Sequence, residues 1–175
     1  MSCEVIFDLN QYDSLGSHAH MAGKLGEFLD VNYASTERVK PALSQMRIKA
    51  RWVKNDSGGT LAANTQVAYK DTYYGLRVGA LGGVSPARPD GVVNPYAGTI
   101  PDGAWFWMIV HGPCKLTSDG SSTIALTDLI TSAASGKTKK VASGTAATIP
   151  GTFAKPMETV AATDGATYRA FVTIE

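Results

Sequence analysis

Charge imbalance, cysteine and long uninterrupted runs are what this sequence has least of. Sixteen Lys and Arg against fifteen Asp and Glu leave a formal charge of +1, and charged residues are 18% of the 175. So even a balance gives no electrostatic case for nucleic acid or for an anionic membrane surface. The two cysteines, Cys3 and Cys114, have the spacing of neither a zinc site nor a disulfide framework, and read as free thiols of a protein matured in a reducing compartment. The longest apolar run, residues 104–110, is far too short to cross a bilayer. At the start, MSCEVIFDLN has no basic region leading into an apolar stretch, so no signal peptide is expected. The length suits one soluble domain with a real core.

A sustained helical period is also missing. What is present is β vocabulary: short segments rich in Val, Ile, Tyr, Phe and Thr, punctuated by Asp56-Ser57-Gly58-Gly59, Asp90-Gly91, Asp102-Gly103, Asp119-Gly120, Ser135-Gly136 and Asp164-Gly165. Turns this frequent predict an all-β barrel or sandwich of about ten short strands. One short helix is expected, capped by Ser35 or Thr36 and running through Glu37, Arg38, Val39 and Leu43 toward Met46, with Pro41 in or near its first turn. Before it, residues 9–34 hold no period and read as an extended N-terminal arm. The expected division is an arm with the short helix over 1–46 and a β-domain over 47–175. Residues 79–103, dense in glycine and proline, are expected to be a long surface loop rather than a central strand.

From Arg47 the pattern sharpens. Arg47-Ile48-Lys49-Ala50-Arg51-Trp52-Val53 alternates, placing Ile48, Ala50 and Trp52 on one face of a strand and a basic row, Arg47, Lys49 and Arg51, on the other. In DGAWFWMIVHGPCKL, an Asp-Gly turn precedes the apolar run and His111-Gly112-Pro113 breaks it, predicting a strand covered on both faces. Trp105, Trp107 and Ile109 point one way, and Phe106, Met108 and Val110 the other. One modest domain has limited core to cover such a strand, so Trp105, Trp107 and Met108 are candidates for an oligomer interface. The arm carries Val5, Ile6, Phe7, Leu15, Leu25, Phe28 and Leu29, too much apolar surface for a solvated tail. Val5, Phe7, Leu15, Leu25, Phe28 and Leu29, with the basic row, are therefore the candidate partner-binding residues.

Catalytic chemistry finds little support. His111 and Cys114 sit together at a strand exit, but a thiol nucleophile also needs an orienting group and an oxyanion hole. SGKTKK at 135–140 lacks the earlier glycine of a phosphate-binding loop, since that position is Thr131. GVSPA at 83–87 departs from a nucleophile elbow at Pro86 and Ala87. His18 and His20 can share one side of an extended segment, but no third metal ligand is evident. No enzyme activity, cofactor or metal is expected.

The C-terminal half runs Asp128-Leu129-Ile130, the turn Ser135-Gly136-Lys137, then Lys155-Pro156-Met157-Glu158-Thr159-Val160, then Asp164-Gly165-Ala166 into Thr167-Tyr168-Arg169-Ala170-Phe171-Val172-Thr173-Ile174. This order resembles the small capsid decoration, or cement, proteins of tailed bacteriophages. The block from Arg51 to Leu61, followed by Gln66-Val67-Ala68-Tyr69-Lys70, is similar to the opening of that family. DGAWFWMIVHGPCKL is similar to its tryptophan-bearing strand. The resemblance covers roughly residues 47–175. It implies a non-enzymatic virion protein, made in the host cytoplasm, that binds the outside of an icosahedral capsid. There it would bridge subunits of the major capsid protein as a homotrimer, with no role for nucleic acid or membrane. The alternative is a carbohydrate-binding or host-adhesion module on a virion, with Tyr73, Tyr74, Tyr96 and Trp105 as sugar platforms.

Overall fold

A computed structural model describes residues 8–70, 76–81, 88–141 and 151–174. Eleven strands among them form one continuous sheet. They are β1 (Tyr12–Asp13), β2 (Leu25–Val31), β3 (Ala42–Asn55), β4 (Gln66–Tyr69), β5 (Arg77–Ala80), β6 (Gly91–Val93), β7 (Trp105–Asp119), β8 (Ile130–Ser132), β9 (Thr138–Lys140), β10 (Ala154–Pro156) and β11 (Asp164–Thr173). Helix is confined to single 3-10 turns at Ala19–Met21 and Ala134–Gly136. The all-β expectation holds.

The sheet closes on itself twice. In the first ring β3 pairs antiparallel with β7, β7 with β6, β6 with β4 and β4 with β5, and β5 returns parallel to β3. In the second, β7 pairs antiparallel with β11, β11 with β10, β10 with β8 and β8 with β9, and β9 returns parallel to β7. Reading β3 to β7 against β7 to β11, the two rings have one topology and share β7. Details repeat with it. The isolated bridge Leu61↔Ile100 has its counterpart in Ile124↔Val160. The Ser57 N–H donates to Asn55 Oδ1 at 3.0 Å, as the Gly120 N–H donates to Ser118 Oγ at 3.1 Å. Asp102-Gly103-Ala104 turns into β7 as Asp164-Gly165-Ala166 turns into β11, with φ +79° at Gly103 and +78° at Gly165.

The interiors match position by position. Val53, Leu61, Val67, Ile100, Phe106 and Val110 fill the first barrel, and Leu116, Ile124, Ile130, Val160, Tyr168 and Val172 take the same places in the second. These aliphatic and aromatic side chains point inward because alternate residues of a strand face one side.

β7 is the shared wall, and both its faces are covered, as its pattern predicts: from Phe106 to Val110 every residue is at most 1% exposed. Trp107 and Ile109 join one core cluster, while Phe106, Met108 and Val110 join the other. The expected break at His111-Gly112-Pro113 does not occur. The register with β3 slips there, Lys49 facing His111 and Ala50 facing Ile109, which leaves Val110 as a bulge. Gly112 has φ +102°, and a Cβ on it would lie 2.3 Å from the Arg47 carbonyl oxygen, so only glycine fits. β3 has left that edge by His111 and β9 joins only at Ser118, so the missing N–H of Pro113 costs no ladder bond there.

Three other expectations are corrected. The helix toward Met46 is instead the start of β3. Pro41 has no N–H to continue a helix, and its carbonyl accepts the Asn32 N–H at 2.8 Å, closing a β2–β3 hairpin. The boundary at 46/47 falls inside β3, and residues 8–31 are part of the packed structure: Leu9 and Met21 are 0% and 2% exposed, and the Trp52 indole donates to the His18 carbonyl. Finally, the glycine-rich stretch contributes β6 to the middle of the sheet, with Val92 and Val93 fully buried. Residues 82–87, including GVSPA, lie outside the described residues.

Candidate attachment surface

The β2–β3 ribbon gathers residues that the sequence offers for two separate reasons. Its register pairs Leu25 with Arg51, Glu27 with Lys49, and Leu29 with Arg47. Cross-strand partners share a face, so Leu25, Leu29, Arg47, Lys49 and Arg51 form one surface. Leu25 is 50% exposed and Leu29 62%. Glu27 is the one carboxylate among three cations, 3.2 Å from the Arg47 guanidinium and 3.9 Å from the Lys49 ammonium. Arg51 Nη1 donates to the Gly23 carbonyl at 3.1 Å, which fixes its end of the row. β2 ends the sheet order, so the ribbon is a sheet margin. Val39, Leu43 and Met46, exposed on and near the hairpin tip, add apolar surface. The sequence reading missed them because it placed them on a helix.

The inner face of the ribbon does the opposite job. Phe28 sits edge-on to Trp107 with ring centroids 5.1 Å apart, so, contrary to expectation, it packs half-buried against the core and faces away from the exposed side of the ribbon. Asp30 is fully buried and takes the Arg169 guanidinium and the Ser44 hydroxyl at 2.5 Å each, pinning the ribbon to β11. Leu15 is 89% exposed but lies in the loop after β1, the strand whose Asp13 pairs with Trp105, and not on the ribbon strands. Val5 and Phe7, like Cys3, lie outside the described residues.

The oligomer candidates do not survive burial. Trp107 and Met108 are 1% and 0% exposed within one chain, so neither has surface left to offer a neighbour. Trp105 is half-buried against the same core.

His111 and Cys114 are three positions apart on one strand and so face opposite sides. His111 rests edge-on against Phe171, with centroids 5.2 Å apart. Burial pushes the Cys114 thiol up to about 12, and its Sγ lies 3.3 Å from the Lys115 carbonyl. A neutral thiol turned away from the imidazole is not an activated nucleophile. SGKTKK forms a 3-10 turn leading into β9. The His18 and His20 rings stand 5.8 Å apart. Asp13 accepts N–H groups of Leu15, Gly16 and His18 at 2.8–3.0 Å. Burial would raise its carboxyl, but these donors outweigh it and hold the group below its ordinary value. That carboxylate organises a loop. Among the described residues no cluster of three or more His, Cys, Asp or Glu is placed to hold a metal ion.

Of the proposed sugar platforms, Tyr73 and Tyr74 lie outside the described residues. Tyr96 is half-buried, its ring 4.9 Å from that of Tyr33, in a cleft of about 480 Å³ also lined by Leu43, Lys115 and Arg169.

No protein-family model matches the chain, and no curated protein matches it. Among solved structures, the head fiber gp8.5 N base of bacteriophage phi29 is similar, with a TM-score of 0.50 at 13% identity over 73% of this chain and 96% of that one. At that identity the likeness is one of fold, and it spans nearly all of the phage protein's chain.

Proposed function

We propose that the chain is a structural, non-enzymatic protein of a tailed-phage head, attached to the outside of the shell and stabilising it by bridging subunits of the major capsid protein. The observation that carries the reading is the β2–β3 ribbon face, where exposed Leu25 and Leu29 alternate with Arg47, Lys49 and Arg51. The fold of a phage head fiber base and the sequence resemblance to decoration proteins support the same role. A component that binds only the assembled lattice stabilises it by mass action. Leucines at the centre of such a contact supply affinity by leaving water, at about 1–2 kcal/mol each for the half of each side chain still exposed, and the cations supply orientation and encounter rate. Assembly as a homotrimer belongs to this reading through the family resemblance alone, with no buried β7 residue behind it.

The test uses heads purified without the protein and co-sedimentation with the full chain. Replacing Leu25 and Leu29 together by Ser should weaken binding by tenfold or more, and Arg47→Glu with Arg51→Glu should slow association and remove its salt dependence. Undiminished binding by both double variants would exclude the ribbon as the attachment surface.

A further inference from the structure

The repeat makes the two barrels' outer faces comparable residue by residue. On the first, Trp52 pairs with Trp107 across β3 and β7. On the second, the same register pairs Lys115 with Arg169 across β7 and β11. The tryptophan pair is covered by polypeptide: Phe28 on Trp107, and the His18 carbonyl on the Trp52 indole. The Lys115–Arg169 pair instead lines the open cleft of about 480 Å³, whose other walls are Tyr33, Leu43 and Tyr96.

We propose that this cleft holds an extended segment of a partner protein bearing carboxylates beside apolar side chains. The matching place on the first barrel is filled by a stretch of chain, so the geometry of this face suits polypeptide. The change from tryptophans to cations inverts what that stretch must offer. Arg169 is half satisfied by Asp30, but Lys115 is exposed and has no ion-pair partner among the described residues. Lys40 stands at the same end, its ammonium 3.1 Å from the Tyr33 carbonyl and 5.3 Å from the Tyr33 ring centroid. Leu43 and the Tyr96 ring supply the apolar wall. Burial first, and then the nearby Asp30 carboxylate, keep the Tyr33 and Tyr96 phenols above their ordinary value, so both are neutral and do not repel an anion.

The experiment uses a random copolymer of glutamate and tyrosine as a sequence-averaged probe, with a lysine–tyrosine copolymer as control. Binding to the isotopically labelled full chain is followed by amide shifts. The acidic copolymer should move the amides of Leu43, Tyr96 and Lys115. Lys115→Glu, at an exposed position, should weaken binding about tenfold, the scale of one charge-assisted contact. Arg47→Glu with Arg51→Glu should leave these shifts in place. Shifts confined to the ribbon, indifference to Lys115→Glu, or displacement of the probe by an acidic oligosaccharide would each overturn the proposal. Head binding is scored separately by co-sedimentation, so a failure of the attachment reading is not mistaken for a failure of this one.

Discussion

The first barrel turns tryptophans outward where the second turns a lysine and an arginine, on the same strands in the same register. Their interiors are interchangeable in kind, Phe106 for Tyr168 and Val110 for Val172, both buried. The difference teaches that the interior positions answer to the ring and the outer positions to what lies over them. Over the first barrel lie residues 8–31 of the same chain, with Leu9, Met21 and Phe28 in the cluster that covers its outward Trp52 and Trp107. Over the second, among the described residues, Asp30 reaches Arg169 while Lys115 stays exposed, so its outer face keeps charge.

The sharpest way to break the comparison is to remove the cover. Deleting residues 2–34 strips β1 and β2 and bares Trp52 and Trp107. The structure predicts loss of the cooperative unfolding transition and aggregation, read by calorimetry and light scattering.

Next in size are point changes on the outer faces. Trp107→Ala should cost about 3–5 kcal/mol, as buried tryptophan truncations do. Thr167→Ala, at an exposed outer position of β11, should stay within about 0.5 kcal/mol. Denaturant titration checks both.

The turn glycines sharpen the repeat itself. Gly103→Ala and Gly165→Ala place a side chain at nearly equal positive φ without a close backbone contact, so each should cost about 1–2 kcal/mol and the two should agree. Gly112→Ala adds the collision with the Arg47 carbonyl and should reach about 3 kcal/mol.

Acid separates the barrels more gently. The Asp13 carboxyl is held below its ordinary value in the folded protein, so its contribution is present above the unfolded value of 3.8 and is lost as pH falls through the folded one. Protection of the Leu15, Gly16 and His18 amides from hydrogen exchange, relative to their intrinsic rates at each pH, should fall in acid before protection in β11 does, and Asp13→Asn should abolish that pH dependence. The smallest effect belongs to Cys114. With its thiol near 12, alkylation of the folded protein should be slow across neutral pH, and Cys114→Ser should leave head binding intact.

Much of this was readable before the fold. The alternation from Arg47 to Val53 and the two-faced run from Trp105 to Val110 became a strand face and a shared wall, because burial on defined sides writes a period of two into the chain. Leu25-Gly26-Glu27-Phe28-Leu29-Asp30-Val31 alternates as well, but its alternation is carried by Phe28 and Asp30 turning inward, and an inward carboxylate is recognisable only once Arg169 is seen beside it. Ser35 and Thr36 resemble helix caps, yet Pro41 decides against a helix. The repeat has a sequence trace, DGAWFWMIV against DGATYRAFV, blurred where Trp105 and Trp107 give way to Thr167 and Arg169. Half of the attachment surface was legible as residues; that Leu25 faces Arg51 and Leu29 faces Arg47 is a matter of hairpin register, which composition does not encode.

The most direct test of the attachment reading is electron cryomicroscopy of phage heads saturated with the wild-type chain. The account predicts density for the protein on the outer shell, with the β2–β3 ribbon face against major capsid protein and Leu25, Leu29 and Arg47 in the contact. Bare heads at saturating protein, or a bound chain whose ribbon points into solvent, would contradict it.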